Sequence, residues 1–324
     1  MTIAIIGAGI AGLTAARTLR DAGREVVLFD KSRGVGGRMS TRYAGEYEFD
    51  HGAQYFTVTD PDFRAEMEAL QAKGVVAPWD SRGFYLRTGS LEADTGRPRW
   101  VGTPRMNSLP KAWADGLDVR LGTRIAHITG REGAYTLTDE AGESHGPFTD
   151  VLLSVPAPQA AALLPEASPL QDVLARVSMH ACFALMVGFP SDMAAFDPGW
   201  DTLRVGDLPV GWMAVNSAKP GRDGAHTTLV VHGSPEWSDA HQDADRDWVQ
   251  GVLLECASAL CGVRLDQAPH ITLHRWLYAY ADEGVGETSL ACPETGVRLA
   301  GDWLVGGRVE GAWASGRSAA RAML

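Results

Sequence analysis

Few folds are open to a chain that begins MTIAIIGAGIAGLTAARTLRDAGREVVLFD. Thr2 to Ile6 is a short, largely β-branched run, as expected of a strand buried on both faces. Gly7, Gly9 and Gly12 then give GxGxxG at the start of a helix whose apolar face includes Ile10, Leu13, Ala16 and Leu19. In such a loop Gly7 permits a tight turn, Gly9 clears room for a pyrophosphate and Gly12 allows close helix packing. The amides of Ile10 and Ala11 at the helix start attract phosphate. Ala22-Gly23 ends the helix, and Glu25 to Phe29 forms the next strand. Asp30 closes it, placed to accept ribose hydroxyls, with Lys31 beside it. Strand, glycines, helix, strand and acid in that order predict a dinucleotide-binding βαβ unit. The acid favours an unphosphorylated adenosine ribose, that of FAD or of NAD.

A second glycine run follows in KSRGVGGRMSTRYAGEYEFDHGAQYF. Gly34, Gly36 and Gly37 let the backbone pass close to a ligand, while Arg33 and Arg38 bring planar charged forks to phosphate. A transient nicotinamide cofactor has to leave, whereas a retained flavin can be enclosed by a second loop. The run resembles the second fingerprint of the FAD-binding amine oxidase and hydroxylase superfamily. The tail, GDWLVGGRVEGAWASGRSAARAML, follows a short apolar strand over Val297 to Ala300. Its Gly301-Asp302 resembles the last FAD contact of that superfamily, and Gly306, Gly307 and Gly311 permit close approach at the following helix. The resemblance implies FAD as a retained cofactor. Its further contacts would come from His51, Gly52, Ala53 and Gln54 of the HGAQ turn and from Arg308, Val309, Glu310 and Ala312 at the helix start.

The predicted fold class is α/β. A Rossmann-type FAD-binding domain, of the glutathione-reductase and p-hydroxybenzoate-hydroxylase-like kind, joins an α+β substrate domain built on an antiparallel sheet. Because both ends of the chain serve the cofactor, the FAD domain is discontinuous: residues 1–56, 100–158 and 291–324, with 57–99 and 159–290 forming the substrate domain. Asp62 to Lys73 and Asp243 to Cys261 read as helices, the second with Trp248, Val252 and Leu253 on one side. Ala181 to Phe189, Val210 to Val215, Thr227 to Gly233 and HITLHRWLYA read as strands.

Composition narrows the partners. A formal charge of -11 with no basic block argues against nucleic acid or an anionic membrane surface. No window approaches the ~20 apolar residues of a membrane span. Cys182, Cys256, Cys261 and Cys292 have no metal-ligand spacing and suggest a reducing compartment, so the cytoplasm is expected. No metal site and no protein partner are predicted.

RGVGGRMS, DHGAQYF, RWVG, NSAKPGRD, HRWLYA and GDWLVGGRVEGAW together resemble the bacterial renalases over essentially the whole chain. That resemblance implies noncovalent FAD and oxidation of the 2- and 6-dihydro isomers of NAD(P). Hydride would pass to flavin N5 and then to O2, yielding NAD(P)+ and hydrogen peroxide. The amine oxidases resemble one another in a lysine that holds water against the flavin. Here Lys31, Lys73, Lys111 and Lys219 all fall outside the strands expected to line the ring, Lys219 in a turn. A dihydropyridine needs orientation more than it needs an acid or base. The expected pocket residues are His232, Gln54, Tyr55, Asn107 (with Arg105), Trp276 and Tyr278, the last two sharing a strand face with His274. Trp79, Phe84 and Trp100 are expected in the smaller domain's core, and His51 is expected to tie a turn. An amine oxidase on a small amine is the main alternative, and a desaturase, a hydroxylase or a noncatalytic FAD-binding redox sensor are the others.

Overall fold

The computed structural model describes residues 1–190, 196–206, 208–222 and 224–324; Asp223 of the NSAKPGRD turn lies outside them. The chain packs as two compact units, one of Met1–Gly37, Leu109–Met179 and Tyr280–Leu324, the other of Arg38–Ser108 and His180–Ala279.

The first unit is a six-stranded sheet in the order Leu290–Ala291, Arg298–Leu299, Asp150–Leu153, Thr2–Ile6, Glu25–Asp30, Asp118–Leu121. All neighbours are parallel except the first pair. Ile3, Ala4 and Ile5 are fully buried, which explains the unbroken apolar run. The helices Ile10–Asp21 and Val309–Arg321 meet closely: a Cβ on Gly316 would lie 2.1 Å from the Ala11 carbonyl oxygen, so only glycine fits there. A three-stranded antiparallel sheet, Ile125–Arg131, Ala134–Asp139 and Ser144–Phe148, extends the core through Phe148 against Phe29.

The second unit is built on seven strands in the order His270–Ala281, Met179–Pro190, His226–Gly233, Val210–Val215, Thr202–Val205, Gly83–Arg87, Ser90–Ala93. Thr202–Val205 and Gly83–Arg87 pair in parallel. Alternation along each strand sorts the side chains. Leu203, Val205, Met213, Val215, Leu229 and Val231 enter an apolar core with Val249, Leu253 and Ala257 of the Arg246–Cys261 helix. That helix starts later than expected because Asp245 caps it, accepting from the Asp247 and Trp248 amides. Its buried stripe is Val249, Leu253 and Ala257, which keeps Leu253 of the expected face and leaves Trp248 off it. Trp248 is 49% exposed and stacks on Trp237 instead of entering the core.

The opposite sheet face carries Tyr85, Arg204, Trp212 and His232, which stand in one transverse row by strand register. It also carries Met186 and Val230, on which the hairpin of Arg42–Ala44 and Tyr47–Phe49 packs through Tyr47 and Phe49. That packing draws residues 38–56 into the second unit, where the sequence reading groups them with the FAD domain. Residues 100–108 join them, while 159–179 and 280–290 pack with the first unit.

Candidate functional site

In the first unit the residues of the first fingerprint form a cradle. Gly7 has φ 108°, and a Cβ there would lie 2.3 Å from the Ser154 carbonyl oxygen. A Cβ on Gly12 would lie 2.0 Å from the Gly7 carbonyl oxygen, so the turn and the helix close on each other only with glycine. Gly9 faces open space within 4 Å of its missing Cβ. The helix it opens, through Ile10, Ala11 and Gly12, has no side-chain cap and no acid in its first turn. Such a helix start leaves backbone N–H groups for an anion. Asp30 accepts from the Ala8 amide (2.7 Å) and the Ser32 amide (2.7 Å), which fixes its carboxylate at the strand end.

The second glycine run lies on the first. Gly36 N–H donates to the Ala8 carbonyl at 2.8 Å, and a Cβ on Gly37 (φ 53°) would stand 3.6 Å from Gly9 Cα. Lys31 and Arg33 lie on the surface nearby in sequence, and partial desolvation of its ammonium together with the charge of Arg124 lowers the Lys31 pKa. Farther along the chain Gly301 N–H donates to Ser315 Oγ at 2.8 Å, and buried Asp302 opens a short turn whose carbonyl accepts from Val305 and Gly307. Arg308 is the N-cap of the last helix without a side-chain cap bond; Val309 and Glu310 are half-buried, and Ala312 is buried. An uncapped helix start, open space at Gly9 and a carboxylate at the second strand end fit the diphosphate and ribose of FAD.

The second unit holds the remaining expected residues. Arg38 donates to the Ala279 carbonyl at 2.9 Å and accepts from the Ala53 amide at 2.8 Å. Gly52 lies so close that a Cβ would meet the Arg38 carbonyl at 2.0 Å. These contacts fold the HGAQ turn around Asp50, a residue sequence reasoning missed. The Asp50 carboxylate, 1% exposed, accepts from Thr41 Oγ1 (2.8 Å), Met106 N (3.0 Å), Lys219 Nζ (3.2 Å) and Arg222. Burial alone would push its pKa up, but the charges of Lys219 and Arg222, with hydrogen bonds from Arg222 and Met106, hold it far below the ordinary carboxylate range.

Lys219 adds what its turn position does not reveal. It is a turn residue, as expected, but its side chain is fully buried. Its three N–H groups have three acceptors: Asp50 Oδ2, Gln54 Oε1 at 3.2 Å and Asn216 Oδ1 at 3.0 Å. Burial lowers its pKa to about 8; Asp50 opposes that shift and Arg222 reinforces it. The signal was a lone lysine in a polar turn facing an acid-bearing turn, a pairing across some 170 residues that no local pattern reveals. Gln54 is consumed by the same network, its amide donating to the Asp50 and Gly52 carbonyls.

His232 and Trp276 are brought together. Both donate to one carbonyl, that of His51, through His232 Nε2 (3.1 Å) and Trp276 Nε1 (3.0 Å). With Nε2 as donor, the neutral His232 ring keeps its lone pair on Nδ1. The His51 ring packs 4.9 Å from both His274 and Trp276, and its Nδ1 is buried without a partner among the described residues. Burial lowers all three histidines, to about 3 for His51 and about 4 for His232 and His274; neighbouring positive charges add to the shift. All three are therefore neutral at pH 7.

Gln54 Nε2 stands 3.5 Å from His232 Nε2, and the other expected residues make separate contacts. Tyr55 stands with Trp212, Arg99 and Arg204 farther along the transverse row. Asn107 donates to the Tyr43 hydroxyl at 3.1 Å, and its Oδ1 is buried without a partner among the described residues. Arg105 pairs with Glu48. Tyr278 is half-buried on the strand face of Trp276. Trp79 and Trp100 are buried, with Lys219 Nζ 5.7 Å from the Trp79 ring, and Phe84 packs on the apolar core. Asp139, Glu143 and His145 approach one another within 4.8 Å, but the Asp139 carboxylate already accepts from the Ala141 and Glu143 amides and pairs with His145, the bonds of an ordinary turn.

Residues 83–324 match the profile of flavin containing amine oxidoreductases, and residues 5–70 match that of an NAD(P)-binding Rossmann-like domain. A protein from Exiguobacterium sp. 255-15, proposed to be a protoporphyrinogen oxidase, superposes with TM-score 0.79 at 16% identity, covering 99% of this chain and 98% of its own. Cyclohexylamine oxidase from Brevibacterium oxydans IH-35A does so with TM-score 0.72 at 14% identity, over 99% and 98% of the two chains. These likenesses concern the fold. A 4,4'-diapophytoene desaturase of Staphylococcus aureus (strain Newman) is 42% identical over 60 residues, 18% of this chain and only 12% of the length of that enzyme. No helix among the described residues is long and apolar enough to cross a membrane.

Proposed function

This chain belongs to the flavin containing amine oxidoreductase family, with FAD as its cofactor, and from that premise we propose that it is a renalase-like oxidase of dihydronicotinamide isomers. The net reaction takes 2- or 6-dihydroNAD(P), O2 and one proton to NAD(P)+ and hydrogen peroxide. FAD supplies the hydride acceptor.

The observation that carries this reading is the shared acceptor at His51. One carbonyl pins an imidazole from one strand and an indole from another, so both are fixed before substrate arrives. The Trp276 indole offers a flat wall to a dihydropyridine, and His232 Nδ1 offers an acceptor to its carboxamide N–H. Imidazoles with pKa values of about 3 to 4 are weak bases at neutral pH. A substrate that is already a hydride donor asks for orientation alone, which rigid neutral walls provide.

Amine oxidation remains the second reading, and Lys219 is the observation that favours it. A buried lysine whose pKa is lowered to about 8 is a group of the kind amine oxidation would use. Against it, all three ammonium protons are engaged by Asp50, Gln54 and Asn216, so holding a water requires one of these bonds to break.

Anaerobic stopped-flow mixing of the FAD-loaded protein with purified 2- and 6-dihydroNAD(P), ordinary NAD(P)H and a panel of amines separates the readings. Fast flavin bleaching by the isomers alone, with peroxide formed when oxygen is admitted, is the expected result. Bleaching by an amine and not by the isomers overturns it in favour of amine oxidation.

A further inference from the structure

We propose that Arg204, the Tyr55 hydroxyl and the Trp212 indole N–H form a binding site for the diphosphate of the dinucleotide substrate, an inference that rests on the reading above. Arg204 lies in register with Trp212 on one side and Tyr85 on the other, and Trp212 in turn with His232. These residues therefore share one sheet face. Arg204 stands two strands from His232, roughly 10 Å at the usual strand spacing. That is about the reach of a nicotinamide riboside whose ring lies beside His232.

The donors at that distance are arranged for an anion. The Arg204 guanidinium stacks on Trp212 (5.1 Å to the ring centroid) and on Tyr85 (5.4 Å), contacts made through its faces that do not use its N–H groups. One of them donates to the Tyr55 hydroxyl at 3.2 Å, and the hydroxyl proton is left to donate onward. Trp212 is 8% exposed, and its Nε1 is buried without an acceptor among the described residues. A buried donor of that kind costs stability until an acceptor reaches it.

Arg99 provides the contrast. It stacks on the same Tyr55 and Trp212 rings, yet Asp94 neutralises it. Arg204 has no carboxylate partner among the described residues. Arg87, on the same face, lies over Tyr85 at 5.1 Å and likewise forms no ion pair there. Glu92, in register with Tyr85, pairs with neither. In a chain of net charge -11, an unneutralised arginine beside two further donors marks a place for a dianionic group.

The test compares 6-dihydroNAD with the corresponding dihydronicotinamide riboside, which lacks the diphosphate, in wild type and Arg204→Gln. The variant should raise KM for the dinucleotide by about tenfold or more with kcat little changed, as for loss of a charge-assisted hydrogen bond. Its kcat/KM for the riboside should stay within about twofold, and Arg204→Lys should restore part of the dinucleotide KM. Equal losses for both donors, or none, overturn the inference.

Calorimetric titration of ADP-ribose into the FAD-loaded proteins gives an answer that needs no turnover. Binding to wild type that is lost in Arg204→Gln, with the bound-flavin spectrum unchanged, supports the site even where no dihydronicotinamide bleaches the flavin. That outcome would sink the proposed reaction and keep the anion site. Failure of ADP-ribose to bind wild type, or equal binding to both proteins, sinks the site.

Discussion

Lys219 Nζ lies 3.2 Å from Asp50 Oδ2, and neither side chain keeps more than 1% of its surface in water. The pair is part of a larger set, since Arg222 reaches the same carboxylate oxygen. One anion thus serves two buried cations, and removing each partner leaves a different defect. Asp50→Asn leaves Lys219 and Arg222 without their counter-charge, which for a broken buried pair costs about 3 to 5 kcal/mol. Lys219→Met leaves the carboxylate with Arg222, Thr41 and the Met106 amide. It should cost clearly less than Asp50→Asn. Urea unfolding of the FAD-loaded proteins reads both, and the reverse order would mean that the lysine, not the acid, organises the network.

Acid should destabilise the protein between about pH 6.5 and 4. His51, His232 and His274 titrate near 3 to 4 when folded and near the ordinary 6.5 when unfolded. Between those values the unfolded chain binds more protons, so stability rises with pH and is lost as pH falls. Asp50 acts below this window, because its depressed pKa matters only as the pH falls toward the ordinary carboxylate value of 3.8. The urea midpoint followed from pH 7.5 to 4 should therefore decline. His232→Gln, which removes one of the three titrating rings, should make the decline shallower. A slope unchanged in His232→Gln would assign the acid sensitivity to other groups.

How much of this could be read beforehand follows from the range of the interactions. The Rossmann unit was legible because Gly7, Gly9, Gly12 and Asp30 meet through contacts within one βαβ segment. Val210–Val215 was legible because alternation is local. His232 and Trp276 are legible as pocket candidates from strand placement, one ending an apolar strand and the other sharing a strand face with Tyr278, but their shared acceptor is not, since a backbone carbonyl leaves no mark on the sequence. The burial of Lys219 is not legible, because a turn position says nothing about burial when the acid it meets is 169 residues away. Trp248 was misplaced by a single step of helical phase, which an aromatic residue at the boundary of an apolar stripe readily causes.

Two glycines of the first fingerprint should respond in opposite ways to the same change. Gly12→Ala places a methyl 2.0 Å from the Gly7 carbonyl, and overpacking backbone against backbone costs about 1 to 3 kcal/mol or more. Gly9→Ala meets nothing within 4 Å, so the apoprotein should unfold at the wild-type urea midpoint. The methyl would instead occupy the approach of the pyrophosphate. Flavin absorbance after gel filtration should show FAD lost from Gly9→Ala while its fold persists. Full FAD retention in Gly9→Ala would mean that the diphosphate passes elsewhere.

Trp276→Phe isolates the shared acceptor. The substitution keeps an aromatic wall but removes the indole N–H, leaving the His51 carbonyl with His232 as its donor. Loss of one such hydrogen bond costs about 1 kcal/mol in stability. The kinetic effect depends on what the bond is for. If it orients the wall for hydride loss, kcat/KM for the dihydronicotinamide isomers should fall by about fivefold to tenfold, mostly in the rate of flavin bleaching. Tyr278→Phe serves as the control two residues along the same face. No hydrogen bond ties the Tyr278 hydroxyl among the described residues, so removing it while keeping the ring should leave the bleaching rate within about twofold. A rate unaffected by Trp276→Phe would reduce the shared carbonyl to a fastening of the fold and remove the main support for the hydride-donor reading.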